Sequence, residues 1–331
     1  MELYEKNGNI IYILNILKKY SDEEHKISTA EIQKKIKEIY NVEIDTRTIR
    51  RNINLLKYKL DYDISTREEN GKGYYIIRNP DTDFEPGELR AIIDTFSYAN
   101  YIVPSVAKEI INKCKNMQNI YENEKLKNYI IYGNDTKTDN MEVIKNIEDI
   151  TDAINNSNKI KFEYWKYGME KKLEKIIVST PKVSPYSLVY NKQEFYLIGI
   201  KEGQDHFFYY RLDRIRNLQQ LQEKITIKKT NSQIKEFAES TVEMFGGKKE
   251  EVEAICSIKL LDTVLDQFGK NITIEKINND ENNFKLILDA NTLGFKMWAM
   301  RNIDLVEVIR PISLRNEMIE VVKIANKKYL T

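Results

Sequence analysis

The densest chemistry in the chain lies at 46–60, TRTIRRNINLLKYKL, which holds five basic residues and no acidic one. Ile49, Ile53, Leu56 and Leu60 recur at spacings of four, three and four, as in a helix that buries one stripe. Setting that stripe aside leaves Thr46, Arg47, Thr48, Arg50, Arg51, Asn54, Lys57 and Lys59 for the outer face. Arginine offers a planar fork that fits guanine and asparagine pairs with adenine, while threonine and lysine hold phosphates or meet thymine methyls. On type alone, Arg47, Arg50 and Asn54 are candidates for base contacts, and Thr46, Thr48, Arg51 and Lys57 for phosphates of double-stranded DNA. A lone basic helix is more often just a solvated face, so the neighbouring elements decide.

Those neighbours fit one module. Residues 10–20, IIYILNILKKY, have helical recurrence. Ser28 and Glu31 form a capping box, in which the hydroxyl accepts from the backbone three residues on and the carboxylate reaches back. The helix that follows would place Ile32, Ile36 and Ile39 on one face. After 46–60, the stretch 62–77 reads as two short strands around Gly71-Lys72-Gly73, and Lys72 would meet a phosphate or the minor groove. Helix, helix, turn, helix and hairpin make a winged helix-turn-helix, whose third helix enters the major groove.

Pro80 and Pro86 then mark a boundary. Residues 86–132 read as a helical connector, and GNDTKTDN (133–140) as a polar linker. A helix from 143 leads into short aromatic and β-branched strands, KIKFEYW, KIIVSTPKVSPYSLVYN, EFYLIGIKE and HFFYYRL, which suit a small antiparallel barrel. The last hundred residues alternate as βαββαβ, the order of a ferredoxin-like sandwich, with a terminal helix from Leu314. The fold class is therefore α+β and multidomain, divided as 1–80, 81–140, 141–228 and 229–331.

Composition excludes more than it assigns. The 331 residues are 41 % hydrophobic and 31 % charged, which fits a globular chain rather than a disordered one. A net charge of +1 does not mark a nucleic-acid coat, but a site-specific binder needs only local basic surface. The abundance of Asn, Lys and Ile reads as compositional bias without functional weight. No apolar run reaches membrane-spanning length, so no membrane partner is expected. Cys114 and Cys256 stand far apart without metal-ligand spacing, which favours a reducing cytoplasm and no metal. With only His25 and His206, and no GxSxG, GxGxxG or Walker A loop, the expectation is a protein without catalytic residues or cofactors.

Two further motifs carry a resemblance. DTRTIRRNINLL resembles the winged helix-turn-helix of DeoR-like and WYL-containing regulators, with Asn52 where those have Asp. Residues 183–216 are similar to a WYL domain: the naming tripeptide reads Phe195-Tyr196-Leu197, and the closing element reads Tyr210-Arg211-Leu212-Asp213-Arg214-Ile215. Lys161–Tyr164 resembles that family's first barrel strand, and 293–318 its C-terminal WCX extension. The resemblance implies an Sm-like barrel that senses nucleotides or single-stranded nucleic-acid fragments through Ser184, Tyr196, Arg211 and Arg214. It also implies a homodimer.

Physically, the two arginines are permanent charged forks suited to phosphate, and Tyr186, Tyr190 and Tyr196 offer stacking faces. In an unbroken strand Arg211 and Arg214 face opposite sides, so both reach one ligand only if the strand ends or bulges between them. The competing reading has Arg214 paired with Asp213 or Glu194 and the tyrosines packing a barrel. The expected function is a sequence-specific DNA-binding transcriptional regulator controlled by such a ligand. The alternative is a nucleic-acid-binding accessory protein that modulates an enzyme or defence complex.

Overall fold

Capping chemistry sets the first helices. In the computed structural model, which describes residues 2–127, 136–171, 173–175, 180–240 and 249–330, the chain divides into two compact units, 1–138 and 139–331. The first unit opens with α1 (Glu2–Tyr20), α2 (Thr29–Tyr40) and α3 (Thr46–Lys59). The Ser28–Glu31 capping box is present, with Ser28 N–H donating to Glu31 at 2.8 Å and Glu31 N–H to the Ser28 hydroxyl at 3.2 Å. Ile13, Ile16, Leu17, Ile32, Ile36, Ile49, Ile53 and Leu56 close one core. Ile39 and Leu60, both expected in the buried stripes, are exposed.

The expected hairpin is shorter and contains a helical turn. It consists of β1 (Ile64–Ser65), α4 (Arg67–Asn70) and β2 (Tyr75–Ile76), with β1 and β2 antiparallel. Gly71 caps α4 in the left-handed region at φ 74°, the conformation for which glycine suits the turn. Gly73 has a different role: a Cβ there would sit 2.8 Å from the Ile27 carbonyl oxygen, where Ile27 and Tyr74 form a backbone bridge.

The rest of this unit is α5 (Pro86–Tyr98), α6 (Pro104–Lys115) and α7 (Ile120–Lys125), the first two with proline in the first turn. Three of the eight residues of the expected linker, 133–135, lie outside the described residues. The remainder is not a solvated tether. Lys137 is buried and its Nζ donates to the Ala99 carbonyl at 2.5 Å.

The second unit begins with α8 (Val143–Asn155), followed by β3 (Asn158–Tyr167), β4 (Leu173–Lys175), β5 (Lys182–Asn191), β6 (Glu194–Lys201), β7 (Phe208–Arg211) and β8 (Ile215–Lys224). They form a six-stranded antiparallel sheet in which β4-β3-β5-β6-β7 are neighbours and β8 returns to pair with β3. The sheet curls, because β7 at its far edge passes through a single 3-10 turn, Leu212–Arg214, into β8. The interior holds Phe162, Leu197, Leu212 and Ile215, all fully buried. Helix α9 (Asn231–Ser240) covers the opposite face of β6 and β7, where Phe237 stacks on Tyr209 at 4.8 Å between centroids.

The remaining elements are β9 (Lys249–Ser257), α10 (Leu261–Phe268), β10 (Thr273–Ile277), β11 (Asp280–Asn291), α11 (Thr292–Arg301), β12 (Val306–Arg310) and α12 (Ile312–Tyr329). The four strands make an antiparallel sheet in the order β10-β11-β9-β12, packed against Phe295, Trp298, Leu314 and Met318 from the helices. No helix among the described residues is long and apolar enough to cross a membrane.

Candidate nucleic-acid interface and effector site

The outer face of α3 starts at its cap. Asp45 accepts from the Thr48 N–H at 2.9 Å and from the Thr48 hydroxyl at 2.7 Å, and these two bonds hold its carboxyl below the usual range. The Thr48 hydroxyl is thereby engaged in capping. Thr46, Arg47, Arg50, Arg51 and Asn54 are exposed. With 100° per residue, Arg47, Arg51, Asn54 and Tyr58 fall along one line and Arg50 lies beside it. Tyr58, exposed at the C-terminal end of this line, was not among the candidates read from residue type.

Lys57 is placed differently. Its Nζ lies 2.5 Å from Glu69 on α4, and this contact, then the Thr66 N–H, holds the Glu69 carboxyl down at about 2. Lys57 therefore joins α3 to the loop between the strands. Lys72 is exposed just beyond that pair. Asn70 fixes the loop, donating from Nδ2 to the Gly73 carbonyl at 2.9 Å and accepting from the N–H groups of Lys72 and Gly73.

The second cluster lies where β6, β7 and the 3-10 turn come together. The register sets Tyr196 opposite Arg211. The strand ends at Arg211 and the 3-10 turn follows, so the condition for bringing both arginines to one site is met. Arg211 grips Asp213 through Nε at 3.0 Å and Nη2 at 2.8 Å, and Glu194 through Nη2 at 2.5 Å. Its backbone N–H donates to the Tyr164 hydroxyl at 3.1 Å. Thus Arg211 makes the carboxylate pairs that were weighed for Arg214. Burial opposes the charge of Arg211, but Asp213 and Glu194 outweigh it and raise its pKa. Arg214 acts electrostatically on both Glu194 and Tyr164, and its own Nε is buried without a hydrogen-bond partner.

Glu194 is the focus of this cluster. Burial and the charge of Asp213 push its carboxyl up to about 7, against the opposing pull of Arg211 and Arg214. Its Oε2 is also buried without a partner. Buried polar atoms are nearly always bonded, so each of these two atoms calls for a partner that the described residues do not supply.

Asparagines hold the turn in place. Asn140 Nδ2 donates to the Asp213 and Ile215 carbonyls at 3.1 and 2.9 Å, and Asn146 Nδ2 donates to Ile215 at 3.1 Å. Arg216 adds a bond to the Asp213 carbonyl at 2.6 Å while its guanidinium lies over Trp165.

Ser184 is not brought to this cluster. It pairs with Ile200, four residues along β6 from Tyr196, or roughly 13 Å at the rise of a strand. It is buried there, bonded to the Tyr186 hydroxyl, which in turn donates to the Ile227 carbonyl. Tyr196 stands edge-on to Tyr209 at 6.1 Å, and Tyr190 is tilted against Phe195 at 5.8 Å.

Comparison with known families bears on this half of the chain. The WYL domain family matches residues 145–220, a span that runs from α8 into β8 and encloses Glu194, Tyr196, Arg211, Asp213 and Arg214. Residues 145–220 are thus similar to the WYL domain family, and the matched span contains the two unpartnered polar atoms, with Asn140 bracing it from just outside.

No curated protein matches the chain. Among solved structures, proteasome accessory factor B/C (PafBC) of Arthrobacter aurescens shares 12% identity at a TM-score of 0.29, covering 99% of this chain and 49% of its own. The chain therefore spans about half the length of PafBC. A CRISPR Cas-related protein shares 13% identity at a TM-score of 0.35, covering 92% of this chain and 93% of its own. Both likenesses are too loose to define a shared fold.

Proposed function

We propose that this chain is a sequence-specific DNA-binding transcriptional regulator whose operator affinity is set by a nucleotide or nucleic-acid fragment bound at the WYL domain. The observation that carries the sensing half is the open pair in the Arg211 cluster. A ligand phosphate would accept from the buried Arg214 Nε, and a protonated Glu194 would donate through the oxygen that now has no partner. Tyr196 lies across the strand from Arg211 and offers a ring for a base to stack on.

The DNA-binding half is supported by α3. Arg47, Arg50, Arg51 and Asn54 stand exposed, and no carboxylate is bonded to the three arginines among the described residues. We read 1–80 as a winged helix-turn-helix, with α3 in the major groove and Lys72 on the wing against phosphate. In the same reading 81–140 is a helical connector, 141–228 an Sm-like barrel and 229–331 a ferredoxin-like WCX extension. The protein acts as a cytoplasmic homodimer on an inverted repeat, with ligand binding shifting the DNA-binding equilibrium, and it works by binding rather than by catalysis.

The test is to purify the protein, identify small molecules or oligonucleotides that accompany it, and titrate them against DNA binding. The ligand should change DNA affinity in the wild type and have no effect in Arg211→Ala/Arg214→Ala. An unchanged response in that variant contradicts the sensing site.

A further inference from the structure

Asp213 faces two ways. Its carboxylate holds Arg211 in the effector cluster, while its carbonyl accepts from Asn140 Nδ2 at 3.1 Å and from Arg216 Nη1 at 2.6 Å. Arg216 also reaches Asp139 through Nη2 at 2.9 Å, and Asn140 Nδ2 donates again to the Ile215 carbonyl at 2.9 Å. Asn140 Oδ1 accepts from the Glu142 N–H at 2.9 Å, and the Glu142 carboxylate accepts from the Asn217 N–H at 3.1 Å. Residues 139–142 are therefore bonded along the turn that carries Arg211 and Arg214.

The residues just before them are bonded elsewhere. The Thr138 N–H donates to the Asn100 carbonyl at 2.9 Å, the Thr136 hydroxyl to Asn100 Oδ1 at 3.1 Å, and Lys137 Nζ to the Ala99 carbonyl. Lys137, Thr138 and Asn140 are 7%, 4% and 2% exposed, although all three are polar. Lysine is almost never enclosed without a partner, and burial pulls the pKa of Lys137 down, so the Ala99 carbonyl is a specific seat for it. Ala99 and Asn100 directly follow α5, in the unit that also holds α3. Within that unit His25 lies flat on Tyr121 at 3.6 Å between centroids, and Arg78 donates to Gln118 at 3.3 Å.

The chain passes from the first unit to the second at Thr138–Asp139. The last of these bonds in the one and the first in the other belong to adjacent residues, so no free residue lies between them to absorb a displacement. A solvated tether would take up such a movement, whereas a strap seated at both ends passes it on. We infer that residues 136–142 are such a strap, and that Asn140 is the positioning residue through which occupancy of the Arg211–Arg214 site reaches the unit that holds α3. A ligand that draws on Arg211 competes with Asp213, whose backbone then shifts against Asn140 and Arg216, and Asp139 and Thr138 follow. The inference rests on the effector site in the proposed function and names the route of its signal.

Hydrogen exchange of the whole protein tests the strap without ligand or DNA. Asp213→Asn loosens the turn from within the cluster, and it should speed exchange of the Thr138 amide, in the first unit, at least about tenfold. Two glycines inserted between Thr138 and Asp139 keep the residues of both seats and add slack. In that chain Asp213→Asn should change the Thr138 rate less than about twofold, and the same should hold in Asn140→Ala, where the strap has lost its hold on the turn. A merely structural role for the turn would alter exchange in the second unit alone. An equal acceleration at Thr138 with and without the glycines overturns the strap. So does a Thr138 rate that Asp213→Asn leaves unchanged in the chain without them. Either failure leaves the effector site standing, because that site is tested separately by the ligand response of Arg211→Ala/Arg214→Ala.

Discussion

Glu194 sits where opposing charges compete for its proton. In the folded protein it holds that proton up to about pH 7, whereas the unfolded chain releases it near 4.5. The folded state binds more protons in this window, so stability falls as pH rises from about 4.5 to about 7, by up to about 3 kcal/mol. Urea unfolding across that range should show the decline in the wild type and lose it in Glu194→Gln; an equal slope in both would contradict the assignment. Phosphate binding should weaken as pH rises past 7, where an anionic Glu194 faces the ligand. Asp213 is the other anchor: it is 2% exposed and holds Arg211 by two bonds. Asp213→Asn should cost on the order of 3 kcal/mol in a denaturant titration, because it leaves a largely enclosed guanidinium short of a partner. Arg211 and Tyr196 were legible in the sequence because their motif is contiguous. Asn140 and Asn146 were not, because in an Asn-rich chain residue type does not separate a bonded asparagine from a surface one. Tyr58 was missed for a related reason: its place is set by helical angle, and residue type pointed to the arginines.

Elements were legible where burial imposed a period. The Ser28–Glu31 box and the 4-3-4 stripe placed α2 and α3 to within a residue, whereas α1, read over 10–20, begins eight residues earlier at Glu2. Leu60 left the stripe because it is the C-cap, at φ −114°, where the helical angle no longer governs its side chain. The loop between β1 and β2 was read from its glycines alone, although Thr66 and Glu69 spell a second capping box that makes α4. Strand β8 and helix α9 went unread: β8 has one buried residue and a glutamine-rich outer face, and α9 is a ten-residue helix. Gly73→Ala should destabilise the first unit by roughly 1–3 kcal/mol, since the new methyl meets a backbone oxygen that a side-chain rotation cannot move. Thermal unfolding measures this, and an unchanged midpoint would contradict the close approach. Ser28→Ala should cost about 1 kcal/mol through the lost cap, read from the same melts.

At the scale of the molecule, a net charge of +1 carried no signal, because the basic stripe of α3 is offset elsewhere in the chain. DNA affinity should nevertheless depend on salt, and Arg51→Ala should reduce the salt slope by about one unit if it meets a phosphate. Lys57→Ala should act mainly through the loop it braces, weakening binding while leaving sequence preference unchanged. The decisive measurement is selection of bound duplexes from a random pool by the protein, alongside Arg47→Ala/Arg50→Ala. The wild type should enrich an inverted repeat, its half-sites one or more helical turns apart, and the variant should lose that enrichment. No enriched sequence, or the same sequence enriched by both proteins, would contradict it.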